Sequence, residues 1–542
     1  MNFKDKKVSV IGIGGSKRSG FYTSLLLKKE GAKVFLSEIK KEDEFKEEIE
    51  ILKQNGISYE FGINSEKIYE SDIIVPCPGV SYKNPLILKA KELNKKIIGE
   101  LELSYSFING DVIGITGTSG KSTTTTLTYE FLKESKIKSH LGGNIGIPLS
   151  SLVINERDGI FVLEVSSFQL ETIEKFKPKI ATFLNFQEDH LDRYDDLDEY
   201  LFFKKRIFEN QDEKDFAILN YDDEIVRNLS KEIRSKVYFF SLNEEVEGIF
   251  LKDKKIFINI NNEKIYVCDR DESSLIGDFN SKNIISSILS SYLLGAKIEA
   301  IRDVLRSFKG LPHRLQFVDI INGITFINDS KSTKPESSIQ ALLSFPENKS
   351  IIILGGSKKG TNFRELCEVV KKRAKYSIVI GATKDDFIKI FDEIGYKNYI
   401  PVNSFEEAID ISLDIGEKGD YVVLSPACAS FDMFKDFEDR GAYFIKIVKS
   451  KKDEKNWLYA FLYFYNSLFA WPSLAIFCIW SWIDTLWKNG DLHKIFDIFN
   501  NINSSNVYFY LYSKKIFYKI CKTNFLCLFL TFNTCLYTFF KF

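Results

Sequence analysis

Neither sign of charge dominates this sequence. Its 74 lysines and arginines nearly balance 75 aspartates and glutamates, giving a formal net charge of -1. That excludes a broad polyanion-binding surface, and no nucleic-acid partner is expected. Cysteine is scarce and unpatterned: the eight include no C-x-x-C pair. Neither a zinc ligand set nor a disulfide framework is indicated, which suits a reduced, cytoplasmic compartment. The N-terminal Met1-Asn-Phe-Lys-Asp-Lys-Lys7 has no apolar signal core behind it and leads straight into a strand pattern. Tryptophan is missing from most of the chain, since all five lie between Trp457 and Trp487. What is present over the first 450 of the 542 residues is an alternation of strand and helix signals, as in an α/β enzyme of three or four domains.

The segment around which the rest is organised is Ile113-Gly-Ile-Thr-Gly-Thr-Ser-Gly-Lys-Ser-Thr123. Residues 112–115 read as a short buried strand and residues 122–133 as a helix. Gly117 and Gly120 let the intervening backbone curl tightly enough for its N–H groups to surround a phosphate. The helix N-terminus adds partial positive charge, Lys121 a full one, and the Ser122 hydroxyl can ligate Mg²⁺. Ile115 stands where a strict phosphate loop has its first glycine, so the spacing is the compact T-G-T-x-G-K-S-T variant. The alternative is an ordinary glycine-rich strand-to-helix turn, and the strand–loop–helix context favours an ATP-phosphate loop.

Before this segment, residues 7–12 form an apolar strand followed by Gly12-Ile-Gly-Gly-Ser-Lys-Arg-Ser-Gly20, a helix to about residue 30, and a strand closed by Glu38. This β-loop-α-β unit suggests a dinucleotide fold, but its G-x-G-x-x-G spacing is imperfect and an inert turn fits nearly as well. Asp72-Ile-Ile-Val-Pro-Cys-Pro-Gly-Val80 gives a strand ending in a turn, and Lys96-Ile-Ile-Gly-Glu-Leu-Glu102 another with carboxylates at its end. After it, residues 159–165 read as a strand with Glu164 near its C-terminal end, where ligands gather in open parallel sheets. A carboxylate there could hold the Mg²⁺ that Ser122 also touches. The next strand, 180–185, runs into the polar Asp189-His-Leu-Asp-Arg-Tyr194. Tyr200-Leu-Phe-Phe-Lys-Lys-Arg-Ile-Phe208 reads on its own as a basic surface helix, although desolvation would lower a lysine pKa there. A third α/β unit begins at Leu311-Pro-His-Arg314 and holds strands near 351–356, 377–380 and 421–425.

Six motifs occur together and in order: T-G-T-x-G-K-S-T, Glu164-Val-Ser-Ser-Phe-Gln-Leu170, D-H-L-D-R at 189–193, His313-Arg314, N-D-S-K at 328–331 and S-P-A-C-A-S-F-D at 425–432. Over residues 1–448 the chain thereby resembles the Mur ligases, in the branch that adds D-glutamate. The resemblance implies three Rossmann-like α/β domains with a central P-loop ATPase domain: 1–105 for the UDP-sugar, 106–310 for ATP and 311–448 for the amino acid. Residues 449–542 form an atypical hydrophobic tail. The implied substrates are UDP-N-acetylmuramoyl-L-alanine, D-glutamate and ATP, with Mg²⁺ as cofactor, and a monomer is expected.

The resemblance also assigns residues. Gly117, Thr118, Ser119, Gly120, Lys121, Ser122 and Thr123, with Asn280, Arg314, Asp329 and Lys331, are implied ATP contacts. Ser19, Gly20, Glu38, Pro78, Gly79, Asn144 and His190 are implied contacts of the UDP substrate, which turns the first glycine loop into a uridine-diphosphate site. Thr333, Lys359, Ser430 and Phe437 correspond to the D-glutamate pocket. Lys121, His190 and Lys204 are the implied catalytic residues, and the metal set is Ser122, Glu164, His190 and Lys204 as a carbamate. A carbamylated lysine is an anionic oxygen ligand of the kind a hard cation accepts, which displaces the surface-helix reading.

Three departures stand out: Phe279 for a histidine, Gln316 for a glutamate and Lys334 for an asparagine. They are expected to affect substrate affinity and to stay clear of the phosphate and metal ligands. A sister Mur ligase, a folylpolyglutamate synthase and a catalytically silent membrane-tethered nucleotide-binding protein are the alternatives; the D-N-P-R run of the diamino-acid enzyme is absent. The tail runs uncharged from residue 456 to 483, long enough to span a membrane, and again from 523 to 540. A fused membrane-protein fragment or a shifted reading frame is expected ahead of a genuine anchor.

Overall fold

The strand Val112–Thr116 is buried at every position and lies between Ile160–Glu164 and Ile180–Phe183, all three parallel. A run such as Val-Ile-Gly-Ile-Thr with no polar alternation is what a strand covered on both faces requires. The register sets Ile115 opposite Glu164 and Thr116 opposite Phe183. The phosphate-loop turn, Glu164 and the 184–196 segment therefore leave the sheet at one edge, where open α/β sheets bind ligands.

This sheet has nine strands, in a computed structural model that describes residues 1–470 apart from Ile276 and Lys359, and without the side chains of Ser16 and 454–470. Strands Ser139–Gly143, Phe216–Asn220 and Lys236–Ser241 extend the parallel part, and Gly248–Lys252, Lys255–Ile260 and Glu263–Asp269 close one edge as an antiparallel meander. A separate five-stranded parallel sheet precedes it, with Lys7–Ile11 between Lys33–Glu38 and Ile73–Pro76. A six-stranded sheet follows, in which Tyr421–Leu424 lies between Ile324–Asn328 and Ser350–Leu354. The architecture is thus mixed α/β with three sheets, within one compact unit spanning Met1–Ser450.

Helices Lys121–Glu134 and Asp278–Tyr292 pack on the central sheet although they carry many hydroxyl residues. The buried hydroxyls are satisfied locally: Thr125, Thr126 and Thr128 donate to carbonyls four residues back, as do Ser290 and Ser291. Small side chains with no unmet donors let the phosphate-loop helix lie close against its neighbour.

One expected strand is corrected. At 96–102 only Lys96–Ile97 is strand, and Glu100–Tyr105 is helical. Glu100 and Glu102 are buried there, accepting backbone N–H bonds from Ser150 and from Glu174, Lys175 and Phe176. They cap other segments. The expected tail beyond residue 470 lies outside the described residues; among those described, no helix is long and apolar enough to cross a membrane.

Candidate active site

The phosphate loop is possible only with glycine at two points. Gly117 has φ 147° and a Cβ there would come within 3.0 Å of Leu184 Cβ. Gly120 has φ 83°, and its Cβ would sit 2.3 Å from Asn283 Oδ1. The helix that starts at Lys121 has no side-chain cap, so its N-terminal dipole faces the site directly. The loop's N–H groups do not all turn inward as expected. Those of Thr118 and Ser119 bond Asn185 at 3.0 and 2.9 Å, leaving the anion-facing role to the helix N-terminus.

Two lysines converge on one carbonyl. Lys121 Nζ donates to Gly117 O and Thr118 O, each at 2.8 Å, and Lys204 Nζ donates to the same Gly117 O at 2.8 Å. Lys204 belongs to helix Leu197–Lys205 and is 1% exposed, so the surface-helix reading fails outright. Burial pushes the Lys204 amine well below its ordinary range, and the Lys121 charge pushes it further. Lys121 is also lowered, again chiefly by burial, with Glu164 opposing.

Glu164 is 4% exposed and receives Ser122 Oγ and Asn144 Nδ2, each at 2.7 Å. Burial alone would raise its carboxyl. Lys121, Ser122 and Asn144 outweigh that and hold it below the usual carboxylate range, so it stays an anion. A hydroxyl and a buried carboxylate side by side form the oxygen donor set a hard divalent cation takes, so these residues fit Mg²⁺. His190, at φ 58°, packs edge-on against Phe168 at 4.7 Å and Tyr200 at 5.9 Å. Burial lowers its pKa, and the charges of Lys334, Lys204 and Lys121 add to that effect against Asp189. The imidazole is thereby kept neutral, the form that can ligate.

Of the residues expected to contact ATP, Asn280 is buried on the first turn of its helix. Phe279, Asp278 and Lys282 line a cavity of about 650 Å³ with Ser119, Asn185 and Asn220. Arg314 has a buried Nε with no hydrogen-bond partner, a donor left for an anionic acceptor. Asp329 accepts from Ser332, Ser425 and the Leu315 N–H; burial pushes its carboxyl up to about 6. Lys331 lies over the Phe437 ring at 5.6 Å, and Ser430 is buried nearby in the third sheet's loops. The Thr333 N–H bonds the Lys331 carbonyl at 2.9 Å. Lys359 lies outside the described residues.

The residues expected to contact the UDP substrate are less openly displayed. Ser19 is buried with its Oγ 3.7 Å from Cys77 Sγ, and a Cβ at Gly20 would meet Gly12 O at 2.0 Å. Glu38 braces the glycine loop, accepting from Ile13 N at 2.7 Å and Lys40 N at 3.0 Å. Pro78 lines a small cleft with Cys77 and Glu100, and Gly79 O accepts from Arg193. Asn144 turns its amide onto Glu164, and its backbone carbonyl accepts from Lys17 of the glycine loop.

Two expectations about the departures resolve differently. Gln316 Oε1 accepts from His313 N at 2.9 Å and Asn328 Nδ2 at 3.3 Å, bonds for which a neutral amide oxygen suffices. Lys334 touches no proposed phosphate or metal ligand itself, but it stands one residue from one. It pairs with Asp189, which accepts from the N–H of His190. Lys17, Arg193 and Lys334 were not assigned roles by spacing; only Arg193 fell within a recognisable motif.

The chain matches three family models in succession: the MurD N-terminal domain over residues 7–85, the Mur ligase middle domain over 115–291, and the glutamate ligase domain of Mur ligases over 313–428. It is 39% identical over 456 residues to a UDP-N-acetylmuramoylalanine--D-glutamate ligase of Clostridioides difficile, covering 83% of this chain and 100% of that one. An enzyme of the same name from Christiangramia forsetii is 40% identical over 451 residues, covering 82% and 99%. In fold it resembles UDP-N-acetylmuramate-alanine ligase from Thermotoga maritima, with a TM-score of 0.51 at 20% identity, covering 82% of this chain and 100% of that one.

Proposed function

The chain belongs to the Mur ligase family, and we propose that it is the ATP-dependent ligase that joins D-glutamate to UDP-N-acetylmuramoyl-L-alanine in peptidoglycan precursor synthesis. The observation that carries this reading is the convergence of Lys121, Lys204, Ser122 and Glu164 on the phosphate-loop turn. Beside it, Thr333 and Ser430 lie in the third sheet's loops and Phe437 opens the helix that follows.

The proposed chemistry is phosphoryl activation followed by amide formation. The helix N-terminus and Lys121 hold the ATP phosphates, and Arg314 supplies a further donor. The terminal carboxylate of the alanyl substrate attacks the γ-phosphorus, the bond to the β-phosphate oxygen breaks, and ADP leaves. Lys121 neutralises charge as it moves onto that oxygen. The D-glutamate amine then adds to the acyl carbon, loses a proton, and inorganic phosphate departs with one former carboxylate oxygen. Ser122, Glu164, His190 and carbamylated Lys204 are the proposed holders of Mg²⁺, which when bound would neutralise phosphate charge. Exclusion of water protects the acyl phosphate until the amine arrives.

Substrate labelled with ¹⁸O in its alanyl carboxylate tests this sequence. Complete turnover with D-glutamate and ATP is expected to place one labelled oxygen in each phosphate released. Unlabelled phosphate, its new oxygen taken from solvent water, would mean that the carboxylate was never phosphorylated.

A further inference from the structure

Arg440 is the largest fully buried side chain that bears a charge in the third sheet's domain, at 1% exposed, and among the described residues it forms no ion pair. Its fork is spent on neutral acceptors. Nε donates to Ser330 Oγ at 2.9 Å, Nη2 to Ser330 O at 2.8 Å and Nη1 to Cys428 O at 3.0 Å. Ser330 Oγ in turn donates a hydrogen bond to Phe437 O at 2.8 Å. Nη1 also runs beside Gly356, where a Cβ would come within 3.2 Å of it. The nearby Asp432 carboxylate is engaged elsewhere, by Ala382 N at 3.0 Å and Ser357 Oγ at 3.3 Å. Burial pulls the guanidinium down to about 10, which still leaves it charged at neutral pH.

The three loops it touches follow strands Ile324–Asn328, Ser350–Leu354 and Tyr421–Leu424. In sequence these loops carry Thr333, Lys359 and Ser430, and Phe437 opens Arg440's own helix. Burying a cation without a carboxylate is costly, and an apolar plug of similar size would often be as stable or more so. A guanidinium supplies what such a plug cannot: a rigid planar fork that fixes the spacing of its acceptors, and a positive potential.

We propose that Arg440 is a positioning residue that sets the specificity of the amino-acid pocket. Its fork holds the loops bearing Thr333 and Ser430 in register with the loop at Gly356, and its charge favours a dicarboxylic amino acid over a neutral one. This rests on the D-glutamate reading above and adds a residue to it.

The full chain with Arg440→Lys or Arg440→Met is compared with the wild type by thermal melting and by the KM of each substrate. The lysine variant is expected to fold, and its KM for D-glutamate to rise at least about tenfold, the scale of one lost charge-assisted hydrogen bond. The methionine variant, lacking charge as well, should rise further, while the KM for ATP stays within about twofold in both. If the methionine variant does not fold, the lysine variant decides. An unchanged D-glutamate KM, a parallel rise in every KM, or failure of both variants to fold would overturn the proposal. A wild type that accepts no D-glutamate would instead sink the functional reading on which it rests.

Discussion

Lys204→Ala is expected to leave less than about a hundredth of wild-type turnover, the scale of removing one preorganised charge-stabilising group, and to regain part of it when acetate or propionate is added. The reason lies in the crowding at Gly117 O, where Lys204 and Lys121 both donate. Two buried ammonium groups on one carbonyl repel each other, and burial already drives Lys204 towards the neutral amine. A neutral amine adds CO₂, releases a proton and becomes a carbamate. At Lys204 that would invert the charge and pair it favourably with Lys121. Truncation to alanine would leave space beside the Gly117 carbonyl and the Tyr200 ring that a short carboxylate can enter, restoring the anion. Depleting CO₂ should lower wild-type activity and leave the rescued variant indifferent. A fully active alanine variant without any additive would rule the carbamate out.

The second large effect is expected at Lys121. Lys121→Ala should cost at least about 10²–10³ in turnover, because the full positive charge nearest the reacting phosphates disappears while the loop persists. The loop loses the side chain's bonds to Gly117 O and Thr118 O but keeps its other supports: Gly117 and Gly120 shape it, and Asn185 holds Thr118 and Ser119 from outside. The variant should therefore melt near the wild type, and steady-state ADP release measures the loss. Near-normal ADP production would remove this lysine from the centre of the site.

Much of this arrangement could be read from the residues, for stated reasons. A buried strand, two obligatory glycines and a lysine at a helix start have few other uses, so the phosphate loop is visible locally. Glu164 was legible because its strand is apolar up to the carboxylate. Lys204 was not: basic residues interleaved with aromatics look the same on a surface helix as on one lowered into a site, and only packing against Tyr200 and the Gly117 turn decides. The strand expected at 96–102 failed because Glu100 and Glu102 are spent on backbone donors far along the chain, at Ser150 and at 174–176. Lys334 reaches Asp189 across 145 positions, and Arg440 reaches Ser330 across 110. No periodicity carries such pairings. The first arises where the central and third sheets bring their loop ends together, the second where loops of the third sheet meet.

The central claim concerns the acceptor that the third sheet's loops are built to hold. The most direct measurement is ADP release by the full chain with UDP-N-acetylmuramoyl-L-alanine and ATP, offered D-glutamate, L-glutamate, L-alanine or diaminopimelate in turn. Two carboxylates need cationic and hydrogen-bonding partners in fixed places, which Thr333, Lys359 and Ser430 supply in this account. D-glutamate is expected to be strongly preferred, with ADP and the amide product appearing in equal amounts. Preference for L-alanine or diaminopimelate, or ADP release that no acceptor stimulates, would contradict the account.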